Sequence, residues 1–311
     1  MTLTIIVPVF NEEEAIRIYY EEFKKAASQL PSIALTALFV NDGSGDNTLK
    51  VAKELAAVDS RVKYISLSRN FGKEAAMLAG LKAVKSDLVA IMDVDGQHPF
   101  NILIEMVNSL QEDENLDVVA ARRVSRKGEP MIRSFCARFF YKMIQRISQT
   151  KIVDGAQDFR VMRFNVVSAI LEMSEVNRFS KGIFAYVGFN TKWIECENIE
   201  RTVGETKWSF FKLVRYSLGA VVAFSTAPLV FASVIGILFC IISFIVIIFV
   251  IARALIFGDP TAGWPSMVSI ILFVSGIQLF CVGVLGQYLS KTYLESKRRP
   301  VFFIREGNLD E

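Results

Sequence analysis

An α/β fold with a doubly wound, mostly parallel sheet is predicted for this chain, followed by an interfacial helix and two membrane-spanning helices. Three observations predict it. Between residues 1 and 121, short β-branched runs alternate with stretches of helical period. Polar clusters rich in Asp and Asn follow the ends of those runs. The C-terminal part holds two stretches, 216–252 and 260–290, without a charged residue.

Leu3–Phe10 reads as the first strand, and Glu12–Leu30 as a helix with Ile16, Tyr19, Phe23 and Ala27 on one side. Thr36–Val40 is a second strand, ending in Asn41-Asp42-Gly43-Ser44. A helix Asp46–Ala57, a strand Val62–Leu67 and a helix Gly72–Val84 come next. A strand 88–92, a helix Asn101–Gln111 and a strand Asp117–Ala121 complete the alternation. Ligands of such sheets bind beyond the carboxyl ends of the strands. Here those ends read Pro8-Val9-Phe10-Asn11-Glu12, Asn41–Ser44 and Asp93-Val94-Asp95.

Asp93 and Asp95 follow an apolar strand and form a hard-oxygen pair. Such a pair holds Mg²⁺ or Mn²⁺ weakly until substrate phosphates complete the octahedron. Neither G-x-G-x-x-G nor G-x-x-x-x-G-K-[ST] follows the first strand. A bound diphosphate is therefore expected to be held through metal rather than a glycine cradle. Asp42 suits a base or ribose group, although Asn41–Ser44 reads equally well as a turn and helix cap. A basic loop, 122–128, and an amphipathic helix, 131–148, come after the last of these strands.

The chain is 52% hydrophobic with mean hydropathy +0.37, too apolar for an ordinary soluble protein. Spans are placed near Pro228–Ile251 and Ser266–Leu289, each long enough for the roughly 20 apolar residues a bilayer requires. Residues 208–218 carry Trp208, Phe211, Val214 and Leu218 against Lys212 and Arg215, the pattern of a helix lying on the membrane surface. The resulting division is a cytosolic domain over 1–204, a juxtamembrane amphipathic helix over 205–227, a two-helix membrane region over 228–290 and a cytosolic tail over 291–311. Basic residues flank the outer ends of the hairpin, whereas the loop 253–265 carries one Arg and one Asp. Both termini are therefore expected in the cytoplasm, and Met1–Phe10 lacks the basic start of a signal peptide. Cys136, Cys196, Cys240 and Cys281 are scattered, which argues against a disulfide framework or zinc site. The net charge of +3 gives no reason to expect nucleic acid as a partner.

Ile6–Glu12, Val40–Ser44, Ser68-Arg69-Asn70-Phe71-Gly72-Lys73 and Asp93–Gln97 together resemble family 2 inverting glycosyltransferases of GT-A-like fold. Asp158-Phe159-Arg160 and Arg201…Lys207-Trp208 narrow the likeness to polyprenyl-phosphate glycosyltransferases, a group that includes dolichol-phosphate mannosyltransferases. With two C-terminal spans, the chain most resembles bactoprenol glucosyltransferases of bacterial and prophage O-antigen modification clusters. The resemblance covers nearly the whole chain.

It implies that Pro8, Phe10, Glu12, Val40, Asp42, Val94 and Arg122 bind the donor, and that Asp93, Asp95 and Gln97 surround the metal. It also implies that Arg201 and Lys207 hold the acceptor phosphate, where the basic stretch is expected to help through Arg126 and Arg133. Asp93, Asp95, Asp158 and Arg201 are the catalytic candidates, Asp158 orienting the acceptor or a sugar hydroxyl rather than acting as a base. Expected with it are UDP-glucose as donor, undecaprenyl phosphate as acceptor, a homo-oligomer in the bacterial inner membrane, and a lipid-linked-sugar flippase and second glycosyltransferase as partners. His98 stands at a variable position, and Lys181-Gly182 replaces the expected Arg-Gly. Sugar identity is thus open to UDP-GlcNAc or GDP-mannose. A processive synthase is a further alternative, although no Q-x-x-R-W motif is present. A catalytically inert, membrane-anchored nucleotide-binding subunit is the alternative from another class.

Overall fold

The computed structural model describes residues 1–123, 153–196, 222, 225–257 and 263–309. The strands are β1 (Thr2–Val9), β2 (Ala34–Asn41), β3 (Val62–Leu67), β4 (Leu88–Ile91), β5 (Val118–Arg123), β6 (Ala156–Arg163), β7 (Thr191–Cys196) and β8 (Ile304–Gly307). The helices are α1 (Glu13–Gln29), α2 (Thr48–Val58), α3 (Lys73–Ala83), α4 (Phe100–Glu112), α5 (Phe164–Glu172), α6 (Ser180–Tyr186), α7 (Ala227–Phe257) and α8 (Trp264–Ser296).

One eight-stranded sheet runs in the order β7-β5-β6-β4-β1-β2-β3-β8. β4, β1, β2 and β3 are mutually parallel, as right-handed βαβ units require. β6 runs antiparallel to both β4 and β5, so β5 points the same way as β4. Leu3, Ile5, Val7 and Val9 of β1 face a core shared with Ile16 and Phe23 of α1 and Leu103 of α4. Ile6 faces the opposite core with Met77 and Ala79 of α3 and Val167 of α5. A strand buried on both faces needs a continuous apolar run, which is why β1 reads Leu-Thr-Ile-Ile-Val. Pro8 fits a central strand because β4 has already ended, its last pairing being Ile91 with Ile6.

Two elements depart from the sequence expectation. β5 continues through Arg122 and Arg123, which the basic loop was expected to contain, because the β6 return gives those residues a partner strand. Gly155, at φ +77°, makes the close approach possible: a Cβ there would lie 2.3 Å from the Arg123 carbonyl oxygen. The stretch 291–311, expected as a tail, instead contributes β8, antiparallel to β3. Tyr64 N–H donates to Asn308 Oδ1 at 2.8 Å, and Lys53 pairs with Glu306.

The 31-residue α7 and 33-residue α8 enclose both expected spans. At 1.5 Å per residue each exceeds the roughly 30 Å hydrocarbon thickness of a bilayer. Phe231, Ile241, Phe249, Phe273 and Leu279 are all more than half exposed, an arrangement suited to lipid rather than water. Tyr288 Oη donates to the Ser225 carbonyl at 2.6 Å, and the Phe239 and Phe273 rings lie 5.6 Å apart. The start of α7 therefore sits beside the end of α8, and both flanks of the hairpin leave on one side.

Candidate active site

Because β4, β1 and β2 are adjacent and parallel, the three polar clusters that follow them emerge along one edge. The loops after β1 and β2 are laced together. Asn11, at φ +55°, donates its N–H to Ser44 Oγ at 3.0 Å, and its Oδ1 accepts the Gly45 N–H at 2.9 Å. Glu12 N–H donates to Thr48 Oγ1 at 2.8 Å. Pro8 and Val40 are directly paired, and Phe10 follows at the strand end.

Asp42 is 3% exposed and grips the neighbouring loop. Its two carboxylate oxygens accept the Phe71 and Gly72 amides at 2.7 and 2.8 Å. Burial pushes its pKa up, and those two amides pull against that shift. Gly43, at φ +64°, lets the β2 loop pass against Arg69-Asn70, where a Cβ would stand 2.3 Å from the Arg69 carbonyl carbon. The grip places Lys73, the first residue of α3, at the sheet edge.

The pairing of β4 with β6 decides what Lys73 meets. Ile91 lies opposite Arg160, and that register, continued two residues past β4, brings Asp158 level with Asp93. Two carboxylates facing each other would repel. Lys73 Nζ sits between them, 2.8 Å from Asp93 and 3.0 Å from Asp158. Burial opposes the ammonium charge, but both carboxylates outweigh it and hold the lysine pKa well above its usual value. Asp158 is correspondingly held far below the carboxylate range: burial works to raise it, and Lys73, Lys181 and Arg160 prevail. Arg160, 4% exposed, lies over the Phe184 ring at 3.6 Å and donates to the Gln157 carbonyl at 2.8 Å. Burial lowers its pKa to about 10, with Asp158 opposing, so it stays cationic at neutral pH.

Val94 and Asp95 are 6% and 9% exposed, and Asp95 Oδ1 accepts the Gln97 amide at 3.2 Å. His98 is buried, stacks on Phe159 at 4.7 Å and accepts the Asp93 N–H at Nδ1, 3.2 Å away. Its burial lowers the imidazole pKa, which suits a neutral acceptor that orients the Asp93 backbone. Arg122 points toward Glu195 of β7 at 3.5 Å. Arg126, Arg133, Arg201, Lys207 and the interfacial helix expected over 208–218 lie outside the described residues.

The donor set suits a hard divalent cation. Asp93 and Asp95 supply anionic oxygens from one short loop, and Gln97 is in that same turn. Among the described residues, no three acidic, His or Cys side chains gather as a cage. Two carboxylates with open positions match an ion that shares its sphere with phosphate oxygens.

Sequence reasoning assigned no role to Lys73, although it stood in the quoted Ser68–Lys73 motif. Pairing Lys73 with Asp93 and Asp158 requires both the loop held by Asp42 and the antiparallel return of β6. Neither has a local signature. His98 supports the Asp93–Gln97 turn through its bond to the Asp93 N–H and its stacking on Phe159.

The model of Glycosyl transferase family 2 matches residues 4–171. A prophage bactoprenol glucosyl transferase homolog of Escherichia coli is 38% identical over 305 residues, 98% of this chain and 99% of that protein. The bactoprenol glucosyl transferase of Shigella phage SfV is also 38% identical, over 98% of each chain. Among solved structures, mannosyl-3-phosphoglycerate synthase from Rubrobacter xylanophilus aligns over 71% of this chain and 72% of its own, at 18% identity and TM-score 0.49. With a GT-A-like sheet, a strand-end carboxylate pair and a family match over more than half its length, this chain is a glycosyltransferase and belongs to family 2.

Proposed function

We propose that the protein transfers glucose from UDP-glucose, with inversion, to the phosphate of a membrane polyprenyl phosphate. The observation that carries this reading is a family 2 site in the same chain as two helices long and apolar enough to cross a membrane. The names of its full-length relatives support the lipid acceptor and the glucosyl group.

The chemistry needs little from a general base. A lipid monophosphate is already anionic near neutral pH, its second pKa being about 6. Catalysis is then mostly alignment and charge stabilisation. Asp93 and Asp95, with Gln97 beside them, would hold Mg²⁺ or Mn²⁺, which when bound would supply charge neutralisation for the departing nucleoside diphosphate. Lys73 keeps Asp93 and Asp158 close together despite their like charge. Asp158, held ionised, is a weak base and suits hydrogen bonding to a sugar hydroxyl or to the protonated acceptor phosphate. The nucleotide is assigned to the edge formed by Pro8, Phe10, Glu12, Val40, Asp42 and Val94, and Arg122, near the end of β5, would exchange its Glu195 partner for the donor phosphates. Arg126, Arg133, Arg201 and Lys207 take the acceptor phosphate where residues 1–204 meet the membrane. The lipid-linked sugar then serves a flippase and a second glycosyltransferase.

Membranes containing the protein are incubated with radiolabelled UDP-glucose, UDP-GlcNAc or GDP-mannose and undecaprenyl phosphate, and the lipid is extracted. Label enters the lipid fraction from UDP-glucose. Lipid label from another sugar nucleotide corrects the donor, and none from any of them refutes the function.

Both termini and the catalytic part are proposed to be cytoplasmic, at a bacterial inner membrane. The common exit side of α7 and α8 supports this, as does the positive charge flanking them. In a cysteine-free background, Ala262→Cys is labelled in intact cells by an impermeant reagent and Asn308→Cys is not. The reverse pattern inverts the topology.

A further inference from the structure

The last turn of α8 carries a carboxylate, Glu295, that does not face solvent alone. It accepts the Val176 N–H at 2.9 and 3.0 Å and the Asn177 N–H at 3.0 Å. Those amides belong to the segment 173–179 between α5 and α6, which Arg178 closes by donating to the Met173 carbonyl at 2.8 Å. Ser180, at the end of that segment, donates its N–H at 3.0 Å and its hydroxyl to Glu74. Glu74 follows Lys73 in the first turn of α3, and Lys73 bridges Asp93 and Asp158. Along the chain, these residues are far apart. In the fold they form an unbroken path from the end of a membrane-spanning helix to the carboxylates of the active site.

We propose that Glu295 is a positioning residue, which couples the seating of α8 in the bilayer to the geometry of the site that receives the lipid acceptor. The proposal rests on the lipid-acceptor reading above.

Two adjacent amides converging on one carboxylate make charge-assisted bonds, stronger than neutral ones. Segment 173–179 has reason to need that hold. It contains Glu175, one of whose carboxyl oxygens is buried with no hydrogen-bond partner among the described residues. Such a group favours opening to water unless the surrounding segment is pinned. The pin is itself anchored, because from Ile304, nine residues beyond Glu295, the chain is fastened to β3 as β8. The end of α8 is thus held to the catalytic domain at two points. A polyprenyl phosphate presents its head group at a depth set by the bilayer. A rigid mount from helix to site brings Asp158 to that depth without the cost of ordering a loop at each encounter. The β1 and β2 loops of the donor edge are fixed separately, by their bonds to α2 and to Arg69–Gly72, and meet this path only where Gly72 joins Lys73.

The test compares full-length wild type, Glu295→Ala and Glu295→Gln in lipid nanodiscs. The readouts are undecaprenyl-phosphate kinetics, UDP-glucose binding with Mn²⁺ by calorimetry, and amide hydrogen exchange. Glu295→Ala raises the KM for the lipid about tenfold, the scale set by losing charge-assisted bonds, and leaves donor affinity within about twofold. Glu295→Gln, whose carboxamide oxygen still accepts both amides, recovers most of that loss. Exchange at Val176–Ser180 quickens in the Ala variant and much less in the Gln variant. Unchanged lipid KM in Glu295→Ala, or an equal fall in donor affinity, overturns the proposal. If the wild type glycosylates no lipid, the functional reading fails instead. Exchange then decides the mount separately: unaltered protection at Val176–Ser180 in Glu295→Ala overturns it, and lost protection upholds it.

Discussion

Asp95→Asn leaves the protein folded and membrane-bound and lowers sugar transfer by about two to three orders of magnitude. Asp95 is 9% exposed and its Oδ1 accepts the Gln97 amide. Asparagine keeps the shape and that acceptor, so the turn persists. What disappears is one of the two carboxylate charges available to a divalent cation, with no third acidic, His or Cys side chain gathered beside them among the described residues. Substrate phosphates cannot replace it, because they bind the cation without tethering it to the protein. Mn²⁺ binding measured by electron paramagnetic resonance, with and without UDP-glucose, falls in parallel with transfer, while circular dichroism is unchanged. Full transfer by Asp95→Asn in excess EDTA sinks the metal assignment.

Gly43→Ala acts on stability and on activity through one clash. The backbone there has φ +64°, and the added Cβ would meet Arg69 C at 2.3 Å and Asn70 N at 2.6 Å. Both are main-chain atoms, so no side chain can swing aside. Left-handed backbone costs an alanine about 1 kcal/mol, and forced overpacking adds roughly 1–3 kcal/mol. A total of about 2–4 kcal/mol is a large share of the roughly 5–15 kcal/mol that holds a domain folded. The displaced loop also carries the Phe71 and Gly72 amides bound by Asp42, and Lys73 follows them directly. Gly45→Ala is the control, because its Cβ would meet nothing within 4 Å. Urea unfolding in detergent shows a clear loss for Gly43→Ala and a change within about 0.5 kcal/mol for Gly45→Ala. Equal midpoints for the two variants contradict the account.

The strands through β5 were legible because parallel strands buried on both faces demand long apolar runs, and β1, β2 and β4 have them. Their boundaries moved by a residue or two, and β5 ran on into Arg122-Arg123 once β6 offered it a partner. The Asp93–Asp95 edge was legible too, since alternating strands and helices oblige the strand ends to point one way. β8 was not. Its Ile-Arg-Glu-Gly has no apolar alternation, and it is a strand only because β3 presents an open edge within reach of the end of α8.

Sequence by itself determined the order of strands and helices through β5, the two apolar spans and the edge where carboxylates collect. These follow from local pattern: period, β-branching and charge-free length are properties of neighbouring residues. Tertiary structure alone decided that Asp158 stands level with Asp93, that Lys73 separates them, and that Glu295 reaches back from the end of α8. Each of those contacts joins residues from different elements, and their distance is set by sheet register and loop closure, which no stretch of sequence carries within itself.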